Sequence, residues 1–217
     1  MTREEIILSH IKRNGLGLEI GAGCSPIAPK KQGFRVHVLE HTTDLIGFFN
    51  DCDSLLKKDG ILSLAVPGKR YSFNHFRPIT GIGRVIDTAG NPPKVHPAGT
   101  AAEYFLTVVS RDGRIAWDAT DKSEFKLVHS LERAKQAIRD VSERETYLDV
   151  HEWCFTPTSF RLMMRDLFEL GFIQLKELAF YPTTGSEFYI ALSCSGELPA
   201  GTRLELLQEV DREQSLS

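Results

Sequence analysis

A short glycine-rich stretch near the N-terminus, residues 16–26 (LGLEIGAGCSP), constrains the fold more than any other feature of the chain. Three alternating apolar residues run into glycines, a pattern typical of a buried strand that ends in a tight turn. Gly21 and Gly23 permit positive φ and let backbone N–H groups approach a ligand closely. Glu19 places a carboxylate at the end of the strand, where sites lie in open α/β sheets. The pattern alone fits a ligand-free glycine turn equally well.

Composition narrows the class of protein. The chain has 217 residues, of which 41% are hydrophobic, and a formal net charge of −3. This charge predicts no nucleic-acid partner, because nucleic-acid binding rests mainly on positive charge. No apolar run approaches the roughly 18 residues of a membrane span, so none is expected. The acidic first turn does not resemble a secretory signal, and four scattered cysteines indicate a reducing compartment. A cytoplasmic location is therefore expected.

Five helix starts can be identified from capping signals. The capping residues are followed by apolar residues at helical spacing, which predicts amphipathic helices. The signals are Thr2, Asp44 before a helix over 44–58, a capping box at Thr100 and Glu103, Ser130, and Thr156 followed by Pro157. Asp112-Gly113 would end the third helix, although the same dipeptide also marks hairpin turns. The tail from Thr202 is expected to form one or two turns.

Strand signals alternate with these helices. Residues 61–66 are apolar along most of their length, which is typical of a strand covered on both faces of a parallel sheet. Residues 172–181 and 187–194 read as an antiparallel pair joined by a turn-rich link. The order of strands and helices favours the α/β class.

Several stretches of the chain resemble one known family. Residues 18–23 look like the first motif of class I S-adenosylmethionine-dependent methyltransferases. More specifically, later stretches resemble a bacterial branch of predicted methyltransferases that is often associated with glycosyltransferases. These stretches are residues 39–46, 60–67, 69–78, 149–160 and 182–188. The later motifs, which include HFRP, DVHEWCFTP and TGSEF, are more specific than the glycine turn.

The resemblance implies a Rossmann-like methyltransferase sheet, mostly parallel, with an antiparallel C-terminal strand pair and a helical insert. A single domain is expected. Its parts are the glycine-turn half (1–67), the insert (68–150), a C-terminal helix and strand pair (151–195) and a tail (196–217). Glu40 lies only 17 residues after Gly23, which leaves room for one short crossover. The second and third strands of the family are therefore expected to be missing, and the sheet is expected to be shortened.

S-adenosylmethionine is the cofactor that the resemblance implies. The glycine turn would hold its methionyl part through Glu19, Gly21, Ala22 and Gly23. Glu40 and His41 are also expected to contact the cofactor. Glu40 either serves as the acid that binds the ribose hydroxyls or marks the end of the family's fourth strand; the residues after it favour the second interpretation.

Candidate acceptor-site residues come from the later motifs. His151 and Glu152 are the leading general-base candidates, and His75 is a third catalytic candidate. Histidine suits proton transfer near neutral pH. Substrate contacts are expected from Arg77, Tyr71 and Glu187. For each of these residues the alternative is a structural role, such as a salt bridge or a polar contact that fixes a loop.

Three functions follow from the sequence. The first is methyl transfer to a hydroxyl of a small-molecule, sugar or glycan-like acceptor, where the acceptor class rests on family association alone. The second is a catalytically impaired, methyltransferase-like scaffold or binding protein, because the adenosine-binding segment is missing. A nicotinamide-dependent enzyme ranks below both, since Pro26 stands where a third glycine is expected. A sheet edge left open by the missing strands would allow a homodimer.

Overall fold

The computed structural model describes residues 2–9 and 39–215. These residues form helices and strands in a mixed order. The helices are α1 (Arg3–Leu8), α2 (Leu45–Leu55), α3 (Ile82–Thr88), α4 (Ala98–Thr107), α5 (Leu131–Arg144), α6 (Pro157–Glu169) and α7 (Arg203–Ser215). The strands are β1 (Leu62–Pro67), β2 (Val109–Arg111), β3 (Phe125–Leu127), β4 (Lys176–Thr184) and β5 (Glu187–Ser193).

Within the described residues, the main sheet has three strands in the order β1–β5–β4, and both pairs are antiparallel. In the first pair Leu62 lies opposite Leu192, and in the second Lys176 lies opposite Ser193. Six of the seven residues of β5 are buried, because β5 is the central strand. The predicted antiparallel pair is therefore confirmed, and its strands are joined by a tighter turn than expected, at Gly185-Ser186.

The predicted mostly parallel Rossmann-like sheet is wrong for the part of the chain that the structure describes. Within residues 2–9 and 39–215 no strand pairs in parallel with another strand. The expectation rested on the apolar run at 61–66, but the residues of β1 alternate between buried and half-buried, as an antiparallel edge strand allows. An apolar run shows that a strand is covered and does not reveal the direction of its neighbour.

The core lies on one face of this sheet. Phe188, Ile190 and Leu192 of β5 point to this face and pack with buried residues of α2 and α6, among them Phe49 and Phe160. Burial of such aromatic side chains supplies much of the stability of a small domain. On the opposite face, the side chain of Tyr189 packs against Ile6 and Ile7 of α1. The short first helix thus supports the sheet.

Local capping signals locate most helix starts correctly. The side chains of Thr2, Asp44, Ser130 and Thr156 each accept a hydrogen bond from the first turn of the helix that follows. Each bond satisfies a backbone N–H that has no partner within the helix. The C-terminal tail forms a longer helix than predicted: α7 has 13 residues and packs its buried Leu206 on α6.

The predicted helix start at Thr100 is wrong. Helix α4 begins at Ala98, so Thr100 lies inside the helix, and its side chain bonds to a distant glutamate instead of capping. The helix ends at Thr107, and β2 and β3 follow as a small antiparallel pair. Asp112 and Gly113 both have positive φ, which is typical of the tight hairpin turns favoured by Asp-Gly. The rejected hairpin interpretation is therefore the correct one at this dipeptide.

Candidate functional site

Two segments that are distant in sequence are locked together beside the core. One is a single 3-10 turn, Leu39–His41, and the other is the extended segment that precedes α6. The backbone N–H of Glu152 donates to the carbonyl oxygen of Glu40 at 2.6 Å. The indole N–H of Trp153 donates to the hydroxyl of Thr42 at 3.1 Å. These bonds bring residues 40 and 41 next to residue 151.

Three side chains converge where these segments meet, and we call Glu40, His41 and His151 the His–Glu cluster. Each offers one ligand atom, and these atoms all lie within 4.8 Å of one another. Oε1 of Glu40 is 3.8 Å from Nε2 of His151, and the two imidazole rings meet edge to face at 4.7 Å between centroids. Glu40 and His151 are buried, whereas His41 is half-buried. Two imidazoles and a carboxylate at this spacing can hold a proton or a metal ion.

A neighbouring side chain orients each imidazole of the cluster. Nδ1 of His41 lies 2.8 Å from Oδ1 of Asp149, whose side chain is 80% exposed. Nδ1 of His151 lies 2.8 Å from the amide nitrogen of Asn74, in a fully buried contact. The ring of Phe73 packs edge to face on His151 at 4.7 Å between centroids. Both rings therefore bond through Nδ1, which leaves Nε2 as the ring nitrogen that can take another partner.

Burial shifts the protonation of all three members. It raises the pKa of Glu40 to about 7, and the negative charge of Glu187 adds to this effect. Burial also lowers the pKa of His151 well below its usual value, together with the nearby positive charge of Arg77. The pKa of His41 is lowered by burial, although the carboxylate of Asp149 opposes that shift. Oε2 of Glu40 is buried and has no hydrogen-bond partner among the described residues.

Glu152 belongs to a second polar group, which we call the Glu152 network. Its carboxylate accepts a hydrogen bond from Nδ1 of His96 at 2.9 Å and pairs with a guanidinium nitrogen of Arg84 at 2.5 Å. The hydroxyl of Thr100 lies 2.9 and 3.0 Å from the two carboxylate oxygens. Burial opposes ionisation of Glu152, but His96 and Arg84 outweigh it and hold its pKa below the usual value. This residue ties α3 and α4 to the core and is a poor candidate for a base.

Arg77 contacts the backbone of both the His–Glu cluster and the Glu152 network. Its guanidinium is buried and donates to the backbone carbonyls of His151 at 2.7 Å and of Glu152 at 3.4 Å. A longer contact of 3.5 Å reaches the carboxylate of Glu103 on α4. Both terminal nitrogens of Arg77 are engaged by the protein, whereas its buried Nε has no partner among the described residues. Arg77 therefore positions the segment 151–152, and its predicted substrate contact stays a prediction.

Other predicted acceptor-site residues lie elsewhere. Tyr71 and His75 line a separate open pocket of about 290 Å³, with Arg70, Arg111, Trp117 and Phe125. The ring of His75 packs on Phe125 at 4.5 Å between centroids, and its Nδ1 bonds to the carbonyl of Arg70. Glu187 lies on β5, where it pairs with Arg3 at 3.1 Å. The structure therefore does not place His75 in the His–Glu cluster.

The cluster combines residues that the sequence had assigned to different tasks. Glu40 and His41 were predicted to bind the cofactor and His151 to act on the acceptor, and the three form one group. The predicted cofactor contacts Glu19, Gly21, Ala22 and Gly23 lie outside the described residues. Two partners that orient the cluster, Asn74 and Asp149, were not predicted from the sequence, although both occur in the motifs that carry the resemblance.

Comparison with known proteins found no relative of this chain. No family model, no curated protein and no solved structure matches the chain. Among the described residues, no helix is long and apolar enough to cross a membrane.

Proposed function

We propose that the protein is an S-adenosylmethionine-dependent methyltransferase that methylates a hydroxyl of a sugar or glycan-like acceptor. The observation that supports this most directly is the His–Glu cluster. It joins two of the stretches that resemble the methyltransferase branch, 39–46 and 149–160. A shared polar group at their meeting point is what an acceptor-activating centre requires.

The chemistry needs a proton acceptor beside the acceptor hydroxyl. When bound, S-adenosylmethionine supplies a methyl group on sulfur; transfer forms a carbon–oxygen bond, breaks the carbon–sulfur bond and leaves S-adenosylhomocysteine. The hydroxyl proton passes to the cluster, where Oε2 of Glu40 is buried without a hydrogen-bond partner among the described residues. A positioned group of this kind contributes roughly 10²–10⁴-fold to a rate.

The described residues fit the cofactor in one respect. Carboxylates favour a cationic sulfonium nearby, and Glu40 and Asp149 supply two of them at this site. The glycine turn, with Glu19, would contribute the remaining contacts. In this proposal Glu40 and His41 therefore lie between the sulfonium and the acceptor hydroxyl.

A second candidate function is favoured by the spacing in the sequence. Glu40 lies only 17 residues after Gly23, a spacing too short for the adenosine-binding segment that the resemblance implies. A chain of this kind would keep the scaffold and bind a partner or ligand without methyl transfer.

Calorimetric titration separates the two functions. The full chain is titrated with S-adenosylmethionine and S-adenosylhomocysteine, beside Glu19→Ala and a control, Glu132→Ala, whose exposed carboxylate lies on α5. Binding at micromolar concentration that is lost in Glu19→Ala and kept in the control supports the enzyme. A folded sample that gives no heat and no thermal stabilisation contradicts it and favours the scaffold.

Methyl transfer itself is followed as S-adenosylhomocysteine release with a panel of saccharide acceptors. Release that requires an acceptor and falls in Glu40→Gln supports the proposed role of the cluster. The proposal also includes a small-molecule or glycan partner rather than nucleic acid, a cytoplasmic location and a homodimer. A monomeric elution volume at high protein concentration would contradict the homodimer.

A further inference from the structure

We propose that the His–Glu cluster is a binding site for one divalent transition-metal ion. The ligands are Oε1 of Glu40 and the Nε2 atoms of His41 and His151. The role of the ion in methyl transfer rests on the proposed function, whereas its binding does not.

The separation of the ligand atoms supports this assignment. Metal bonds to imidazole nitrogen and carboxylate oxygen are about 2.0–2.2 Å, so ligand atoms around one ion lie roughly 3–3.6 Å apart. Oε1 of Glu40 is 3.8 Å from Nε2 of His151, and each of the three residues offers a ligand atom within 4.8 Å of those of the other two. Small side-chain rotations would close these gaps around an ion.

The surroundings of Glu40 also point to a ligand. The residue is 7% exposed, and its Oε2 has no hydrogen-bond partner among the described residues. Buried carboxylate oxygens are normally hydrogen-bonded, because burial without a partner is costly. An ion bound to the carboxylate would offset the cost of its burial, and the acceptor hydroxyl would supply a partner for Oε2.

His41 has the outer-sphere partner expected of a metal ligand. Metal-binding histidines usually donate their other ring N–H to a carboxylate, a carbonyl or a water. The carboxylate of Asp149 lies 2.8 Å from Nδ1 of His41 and places the proton there. Nε2 is therefore the free ligand atom. The exposed side chain of Asp149 also marks the solvent side of the cluster, which is a route of entry for the ion.

Metal binding through His151 requires a change in its hydrogen bond to Asn74. In the structure the amide nitrogen of Asn74 faces Nδ1 at 2.8 Å, which leaves the proton on Nε2. Binding of an ion at Nε2 moves this proton to Nδ1, and the amide must then present its oxygen. The competing bond to that oxygen, from Arg77, is long at 3.4 Å. Rotation of the Asn74 amide is therefore a required part of metal binding.

The ligand set selects the class of ion. Two imidazoles and one carboxylate suit Zn²⁺, Fe²⁺, Co²⁺ or Mn²⁺, whereas Mg²⁺ and Ca²⁺ prefer oxygen ligands. Three protein ligands leave at least one position for another group. An acceptor hydroxyl bound there would lose its proton more readily, as metal-bound water does.

The test uses Co²⁺ as a spectroscopic probe and Zn²⁺ as its competitor, with the full chain and no S-adenosylmethionine. We expect one Co²⁺ per chain with visible d–d absorption, displacement by Zn²⁺ and no displacement by Mg²⁺. In His41→Asn and Glu40→Gln the affinity should fall at least about tenfold. His129→Asn is the matched control, because this histidine packs on Tyr104 and Phe105 away from the cluster.

The outcomes decide the proposal. A folded wild-type chain that binds no Co²⁺, or variants that bind it as tightly as wild type, would overturn it. If Glu40→Gln does not fold, His41→Asn decides, because its half-buried ring is tolerant of replacement. Calorimetry with S-adenosylmethionine in the presence of a chelator tests the cofactor separately, so each proposal can fail without the other.

Variants of the two residues that hydrogen-bond to the histidine ligands test the proposed arrangement of the metal site. Asp149→Asn removes the carboxylate behind His41, and the affinity for Co²⁺ should fall by about 10–100-fold. Asn74→Asp gives His151 a carboxylate partner that needs no rotation, and the affinity should rise. A decrease in Asn74→Asp, in a folded sample, would contradict His151 as a ligand through Nε2.

Discussion

His151 and Glu152 are neighbours in the chain, yet they belong to polar groups of opposite character. In the Glu152 network both oxygens of the buried carboxylate have close partners: His96, Arg84 and Thr100. In the His–Glu cluster the carboxylate of Glu40 is similarly buried, but its Oε1 is 3.8 Å from Nε2 of His151, beyond hydrogen-bond distance. Burial is therefore common to both carboxylates, and they differ in how many close hydrogen-bond and ion-pair partners they have.

The pKa shifts express this difference. Burial raises the pKa of Glu40 to about 7, whereas hydrogen bonds from His96 and the charge of Arg84 overcome the burial of Glu152 and lower its pKa. A buried carboxylate with all its partners stabilises the fold. One that lacks partners costs stability and retains the capacity to bind a proton or an ion. The comparison supports the proposal that Glu40, rather than Glu152, takes the proton of the acceptor.

The largest effect is expected from Glu152→Ala. This change leaves His96 and Arg84 without their shared anion inside the protein, and it releases α3 and α4 from the core. Removal of one partner from a buried ion pair typically lowers the free energy of unfolding by about 3–5 kcal/mol. Urea unfolding followed by circular dichroism measures the loss. Glu132→Ala, at an exposed position, is the control, and a loss below about 1 kcal/mol for Glu152→Ala would contradict the structural role.

A smaller effect should come from Zn²⁺. An ion that binds only the folded chain raises the free energy of unfolding by about 2.7 kcal/mol at one hundred times its dissociation constant. We expect this increment in wild type and in Glu152→Ala, because the second variant keeps the His–Glu cluster. His41→Asn should lose it. An equal increment in His41→Asn would place the ion elsewhere on the protein.

Glu40→Gln should change the stability of the metal-free protein by no more than about 1 kcal/mol. The variant removes a charge whose burial is unfavourable, and Oε2 of Glu40 has no hydrogen-bond partner to lose among the described residues. The measurement is urea unfolding in the presence of a chelator. A loss of more than about 2 kcal/mol would show that Glu40 holds the fold together as Glu152 does.

The parts of the fold that the sequence predicted depend on contacts between near neighbours. Asp44, Ser130 and Thr156 cap their helices because each side chain bonds to a backbone N–H three residues later. The direction of the strands could not be predicted in this way. It depends on which strand lies beside β1, and β5 follows it by more than one hundred residues. The apolar pattern of 61–66 is compatible with either direction.

The same limit applies to the site. Glu40, His41 and His151 were named from motifs, but nothing in the sequence indicated that the first two would join the third. The contact that joins them, from the N–H of Glu152 to the carbonyl of Glu40, spans more than one hundred residues. His96 was missed because it lies in an irregular, proline-rich segment with no periodic pattern. Its role appears only when the carboxylate of Glu152 is placed beside it.

His75 lies outside the His–Glu cluster and provides the last test, because it separates the effect of burial on a histidine from membership of the cluster. Burial and the positive charges of Lys69, Arg111 and Arg70 lower its pKa, although its bond to the carbonyl of Arg70 opposes the shift. The neutral form is thus favoured in the folded chain, so the unfolded chain binds more protons below about pH 6.5. The free energy of unfolding therefore falls as the pH falls through this range. His75→Gln should make the unfolding free energy less dependent on pH between about 6.5 and 5, and should leave Co²⁺ binding unchanged. The effect should be the smallest of the four, because the half-exposed ring is partly screened by water. Equal slopes in wild type and variant would show that His75 titrates normally, and loss of Co²⁺ binding would extend the cluster to the pocket beside Trp117.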